Sequence, residues 1–298
     1  MAIETGERFK ECEYSSIDTT ICLNGVITAA AYFHDSEISQ KTHQLLERVD
    51  WPLIIFEEND KTLFRMAYNP DAQGYYVHNK PGFISQWDMA AEQKMMYLQA
   101  SRHIDAGVAR KLYADFHRDK RIYTGQEVII HPGGGSYVYQ CSEAWLDVER
   151  YLDLHGVDWF RNTRLAAQAN RAFCLEHLDR FKTYHETSWG LSAGDSPHGY
   201  AVFGGSPSLW YPNHDGTVSI WGLSPTCPLS EETIALVEFL FTYHPQTWGE
   251  YGFYDAYNVD VAPPWYSSEL YGVDKGSSII MIEKYLSRLG WETYTDST

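Results

Sequence analysis

Apolar residues recur at helical spacing in eight stretches of this chain. In SSIDTTICLNGVITAAAYF (15–33) they fall at 17, 21, 23, 27, 30 and 31, behind Ser15 or Ser16 as a hydroxyl cap. SEISQKTHQLLERV (36–49) follows after a short turn. WDMAAEQKMMYLQAS (87–101) and DAGVARKLYADFHR (105–118) form a second close pair, and CSEAWLDVERYL (141–152) and NTRLAAQANRAFCLEHLDRFK (162–182) a third. SEETIALVEFLFTYH (230–244) sets Ile234, Val237, Leu240 and Phe241 on one stripe, with Glu231 and Glu232 in its first turn, where the helix dipole favours acids. KGSSIIMIEKYLSRLG (275–290) ends on Gly290, a residue suited to a helix stop. Eight helices in about four hairpins predict a mainly α fold.

Strand patterns are short: LFRMAY (63–68), GYYVH (74–78) and SYVYQ (136–140). The segments 50–86, 119–140, 184–229 and 244–274 carry Gly, Pro, Asp and Trp without a period of their own. Long aperiodic loops in a compact fold usually serve function. The densest is TYHPQTWGEYGFYDAYN (242–258), which sets rings around Glu250 and Asp255 and is broken by Pro245, Gly249 and Gly252.

Composition narrows the classes. Lys and Arg number 23 against 40 Asp and Glu, a net of -17, and no basic run exists, which argues against nucleic acid and against an anionic membrane surface. No stretch of 18 apolar residues suggests a membrane span. The start, MAIETGERFK, lacks the apolar core of a signal peptide, so none is expected in this chain, and the compartment stays open. Five cysteines, an odd count at long spacings and with no CxxC, predict free thiols. Aromatic residues make up 15% of the chain, and most carry a polar handle, which suits the C–H faces and hydroxyl rims of sugars.

Candidate chemistry follows from the acids. On a helical wheel Glu92 lies within or beside the stripe of Met89 and Met96, a setting in which a carboxyl is paired, left at a rim, or kept protonated as an acid. Glu283 raises the same alternatives. Asp195 sits among small residues in HETSWGLSAGDSPHGY (185–200), either as a turn cap or as a site residue. No HExxH or GxSxG occurs, and HPGGGSY (131–137) lacks the Lys and the strand–loop–helix context of a phosphate loop. Neither a metal nor a cofactor is expected.

Eight blocks in order carry a resemblance: SSIDTTICLNGVITAAAYF, RVDWPLIIF, QWDMAAEQKMMYLQA, WLDVERYLDLHGVDWFRNTRLAAQANRAFC, SWGLSAGDSPHGY, DGTVSIWG, YGFYDAYN and DKGSSIIMIEKYLSRLGW. From about residue 5 to 292 the chain resembles the glycoamylase-like family, the (α/α)6-barrel glycoside hydrolases of family 144 that act on β-1,2-glucans. The resemblance implies one catalytic domain over 1–298 and inverting hydrolysis of a glucan oligosaccharide or polysaccharide. Another glucan linkage, or carbohydrate binding without catalysis, is the alternative. Glu92 matches the family's general acid and Asp255 the base side. Glu13, Asp18, Trp87, Glu186, Trp189, Asp195, Tyr251, Phe253, Asn258 and Trp265 match cleft and sugar-contacting positions. Lys284 stands where the family usually has Asn. Family members carry further helices before the SSID block, so the resemblance implies a toroid short of its N-terminal helices: either a second copy or another partner completes it, or the chain is a shortened variant, or it is a fragment.

Overall fold

The structure, a computed structural model, describes residues 2, 4–9, 12–70, 82–220 and 231–297. Its contacts cluster into two compact units, Met1–His117 with Asp296–Thr298, and Arg118–Thr295.

The first unit sets helices against a small sheet. Helix α1 (Ser16–Phe33) starts on Ser15, whose hydroxyl accepts from the Asp18 N–H, and α2 (Ser36–Glu47) starts on Asp35, which accepts from two N–H groups. Strands β1 (Tyr14–Ser15), β2 (Ile55–Glu58), β3 (Lys61–Tyr68) and β4 (Phe83–Trp87) are antiparallel about β3, with β4 along the edge opposite β1 and β2. A single turn, α3 (Trp51–Ile54), leads into β2. Helices α4 (Lys94–Ala100) and α5 (Ala106–Asp115) follow the sheet. The core is a ring stack: Phe64 lies 5.9 Å from Trp51 and 5.4 Å from Tyr97, and Tyr97 lies 5.6 Å from Phe116. The buried Arg65 guanidinium is sandwiched 4.4 Å from Phe56 and 4.3 Å from Phe83, one ring from each flanking strand.

The second unit is built on α7 (Trp159–Leu175), which follows hairpin β5–β6 (Lys120–Tyr123, Gln126–Ile129) and the short α6 (Tyr137–Gln140). Small antiparallel pairs come next: β7 (Ala193–Gly194) with β8 (Ala201–Val202), and β9 (Val218–Ser219) with β12 (Ala256–Asn258). After α8 (Glu231–Tyr243), hairpin β10–β11 (Trp248–Gly249, Gly252–Phe253) leads into β12 and β13 (Trp265–Tyr266), then α9 (Gly272–Leu286) and α10 (Leu289–Ser297). The core joins Phe173, Trp189, Leu191, Phe203, Val218, Leu240 and Tyr257. The glycines of 131–137 serve packing. A Cβ on Gly134 would lie 2.0 Å from the Gly205 carbonyl oxygen, and one on Gly204 1.9 Å from that of Gly133, so two loops pass backbone against backbone.

Several local expectations change. SYVYQ is helical from Tyr137, and Tyr139 and Val138 pack with Ala166 and Leu165 of α7 rather than along a sheet edge. CSEAWLDVERYL yields only a 3-10 turn, Ser142–Ala144. The 87–101 segment becomes helical only at Lys94, because β4 holds the chain extended through Trp87. On α8 the buried face is Thr233, Leu236 and Leu240, while Ile234 and Phe241 are exposed. In so apolar a helix several stripes satisfy the period, and packing selects one. Gly290 does not end the last helix: α9 stops at Leu286 and α10 runs through Gly290. The segment 50–86 holds most of a sheet rather than a loop, and GYYVH lies outside the described residues.

Candidate active site

In the first unit the candidate acid, Glu92, stands in the turn between β4 and α4. That corrects the expectation that it lies on a helix, but the turn is pinned at both ends. Upstream, the Trp87 indole N–H donates to Ser16 Oγ (3.2 Å), and that hydroxyl donates to the Met66 carbonyl (2.8 Å). Downstream, Gln93 Nε2 donates to the Met89 carbonyl (2.6 Å), and Met95 and Met96 are fully buried. Glu92 is half-buried, and its pKa is pushed up to about 7. Desolvation is the main cause and the Asp18 carboxylate adds to it, while Lys94 opposes it. At neutral pH roughly half of this carboxyl keeps its proton. Asp18, in the first turn of α1, and Glu13, just before β1, are exposed, and Trp87 is buried.

In the second unit the ring-rich stretch folds into β10, β11 and β12. Gly252, at φ 95, makes the turn that displays Tyr251, which is 71% exposed. Phe253 is half-buried, its ring 4.8 Å from Trp248 and 5.1 Å from Phe241. Asp255 lies between β11 and β12 and caps no helix. It is buried, and its Oδ2 accepts from the Asp195 N–H (2.5 Å). Asp195, half-buried, accepts from the Ser267 hydroxyl (2.6 Å) and from the Ser196 N–H (2.9 Å), so it serves both as a turn cap and as part of this cluster. Asp274, in the first turn of α9, brings a second buried carboxyl to Asp255. A helix N-terminus favours a carboxylate by about 0.3–1 kcal/mol. Burial and the Asp255 partner outweigh it and push the Asp274 pKa up to about 8, with Lys275 opposing. Burial also raises Asp255, against the hydrogen bonds from Asp274 and the Asp195 N–H.

Other expected contacts fall elsewhere. Asn258 is buried, and its amide is used internally. Nδ2 donates to Thr217 Oγ1 (3.1 Å) and Oδ1 accepts from the Asp260 N–H (2.8 Å), so it staples the loop rather than facing a sugar. Trp189 is 2% exposed and packs in the core, so it offers no open ring face. Glu186 is exposed at the loop before it. Trp265, in β13 opposite Asn258, is half-buried. Sequence reasoning missed Asp274, Lys275 and Ser267. An acid opening a helix reads as dipole compensation, and nothing in the local sequence announces its buried partner. Among the described residues no cluster of His, Cys, Asp or Glu is arranged to hold a metal ion, and no helix is long and apolar enough to cross a membrane. Cys12, Cys22, Cys141 and Cys174 are free thiols.

These carboxyls give stability a pH dependence. Both Glu92 and Asp274 have folded pKa values above their ordinary 4.5 and 3.8, so the native state binds more protons. The stability they contribute is full below about pH 4 and is lost as pH rises to about 8. The melting temperature of Asp274→Asn minus that of the wild type should therefore grow between pH 4 and 8, by an amount on the order of 4 °C or more. A difference that stays flat over this range would refute the pairing.

This is a mainly helical fold that also occurs in solved structures of enzymes. The chain matches the crystal structure of a "putative glucoamylase" from Bacteroides uniformis with a TM-score of 0.82 at 21% identity, over 99% of this chain and 72% of that one. It matches an endo-β-1,2-glucanase from Chitinophaga pinensis, in complex with sophorotriose and glucose, with a TM-score of 0.78 at 21% identity, over 94% of this chain and 68% of that one. Residues 84–298 match the Glycoamylase family model, described as "Putative glucoamylase", and the chain belongs to that family. It is 24% identical over 310 residues to an exo β-1,2-glucooligosaccharide sophorohydrolase (non-reducing end) of Parabacteroides distasonis, covering 93% of this chain. It spans about two-fifths of that relative's length (41%).

Proposed function

We propose that this chain is the catalytic part of a glycoside hydrolase that cleaves a β-1,2-linked glucan with inversion, within an (α/α)-toroid domain. The observation that carries the reading is Glu92, a carboxyl that burial keeps about half protonated at neutral pH on a turn anchored at both ends. Family membership and the β-1,2-linked substrates in the names of the relatives support the substrate class.

In this reading Glu92 gives its proton to the glycosidic oxygen as the C–O bond breaks. Asp255 takes a proton from the water whose oxygen bonds the anomeric carbon from the opposite face. Inversion calls for the two carboxyls ~6.5–9.5 Å apart, or further if a substrate hydroxyl relays the proton. Tyr251 and Trp265 are the rings offered for stacking on sugars, and Glu13, Asp18 and Glu186 are the exposed acids for hydroxyls. The deciding assay is reducing-sugar release from a panel of glucans. Release from β-1,2-glucan alone supports the linkage, release from an α-glucan reassigns it, and binding without release makes the protein a carbohydrate binder.

Self-association belongs to the same proposal. Tyr32 and Phe33 at the end of α1 are 52% and 61% exposed, and Ile279, Ile282, Tyr285 and Leu286 line the open side of α9. Light scattering should give a mass above that of one chain; a well-folded monomer would show that these faces need no cover.

A further inference from the structure

Three carboxyls from separate elements meet in the second unit: Asp195 after β7, Asp255 before β12 and Asp274 in α9. The other charged or titratable groups facing them are Lys275, Glu269 and Tyr271. Two of the three acids are satisfied differently. Asp195 has a hydroxyl and an N–H as donors. Asp255 has an N–H on Oδ2, while its Oδ1 is buried and meets no N–H or hydroxyl donor. The side chain of Asp255 is also in hydrogen-bond contact with the carboxyl of Asp274. Two bare carboxylates in contact with almost no water would repel, and Asp255 Oδ1 would lack a donor; one shared proton removes both costs.

We propose that Asp274 is a positioning residue: it carries the single proton of the Asp255–Asp274 pair and donates it to Asp255 Oδ1, leaving Asp255 an oriented carboxylate. The inference rests on the reading of Asp255 as the base and names what aims it. The Asp195 N–H on one oxygen and the Asp274 O–H on the other fix the plane of the carboxylate, so that the remaining lone pairs point in a set direction. During turnover the pair passes from one proton to two as the water O–H bond breaks, and the extra proton leaves to solvent after product departs. Above pH 8 the pair loses its proton, and the aim is lost with it.

The test has two arms. Infrared spectra of protein with carboxyl-labelled aspartate, in the Glu92→Gln background, should show a protonated-carboxyl band at pH 7 that titrates near pH 8 and is absent after Asp274→Asn. No such band, or a band that survives Asp274→Asn, overturns the proposal. This arm needs no substrate, so it stands or falls whether or not the chain cleaves glucan. In the kinetic arm Asp274→Asn, whose amide N–H₂ can still donate to Oδ1, should lower kcat less than tenfold and remove the second ionisation from the alkaline limb. Asp274→Ala should lower kcat by about 10²-fold at an unchanged KM, the scale of a misaimed catalytic group. Equal losses in the two variants, or wild-type kcat in Asp274→Ala, would also overturn it. If Glu92→Gln and Asp255→Asn stay active, it is the parent reading that has failed.

Discussion

Glu92→Gln should lose a factor of about 10²–10⁴ in kcat on a β-1,2-linked glucan, the usual contribution of a placed acid or base, while keeping its fold. Gln has nearly the shape of Glu and can still hydrogen-bond, but it has no proton to give. Burial and Asp18 hold the wild-type proton up to about pH 7. In the wild type kcat/KM should therefore fall as pH rises through about 7, tenfold per pH unit, and this limb should vanish in the variant. Stability should move little or rise at alkaline pH, since the substitution removes a charge that the site disfavours. Glu283→Gln is the control. Glu283 Oε1 accepts from the Leu289 N–H (2.9 Å) and Oε2 from the Gly290 N–H (3.0 Å), so it caps the start of α10. Its loss costs about 0.5–2 kcal/mol of stability at most and no turnover. Near-full activity in Glu92→Gln would end the assignment.

Asp255→Asn should lose turnover on the same scale, about 10²–10⁴-fold, with little change in KM. The contrast with stability makes the result diagnostic. Asp255 is 1% exposed, and burial opposes its ionised form. A neutral amide can keep one contact, with the Asp195 N–H or with Asp274, without the buried charge. A catalytic Asp255 therefore predicts an inactive protein at least as stable as the wild type, and a purely structural one predicts an active protein of altered stability. Product configuration is the second check: an inverting enzyme releases the α-anomer from a β-linkage, and retention in the wild type would remove Asp255 as the water-activating base.

Element type was legible wherever a segment was long and had one clear stripe. The sequence placed α1, with its Ser cap, and α2, α5 and α7 close to where they stand; the Asp caps of the last three are seen only in the structure. It misjudged α8, where Ile234, Leu236, Leu240 and Phe241 allow several stripes, and the start of α4, where a sheet register overrides helix propensity. The sheet around β3 was read only in part, because its strands are short and are paired by residues far apart in the chain.

The site divides in the same way. The family resemblance pointed to Glu92 and Asp255; the residues by themselves left Glu92 as a paired, rim or protonated carboxyl and set Asp255 beside Glu250 among rings. The tertiary structure decided what each acid can do. Glu92 left its helix for a pinned turn and took its proton affinity from burial. Asn258 and Trp189 became scaffold, since their neighbours used up the amide and covered the ring. Asp255 acquired Asp274 as a partner from 19 residues along the chain. A sequence records which groups exist. Desolvation and proton sharing depend on which groups end up within a few ångströms of one another, and only packing sets that distance.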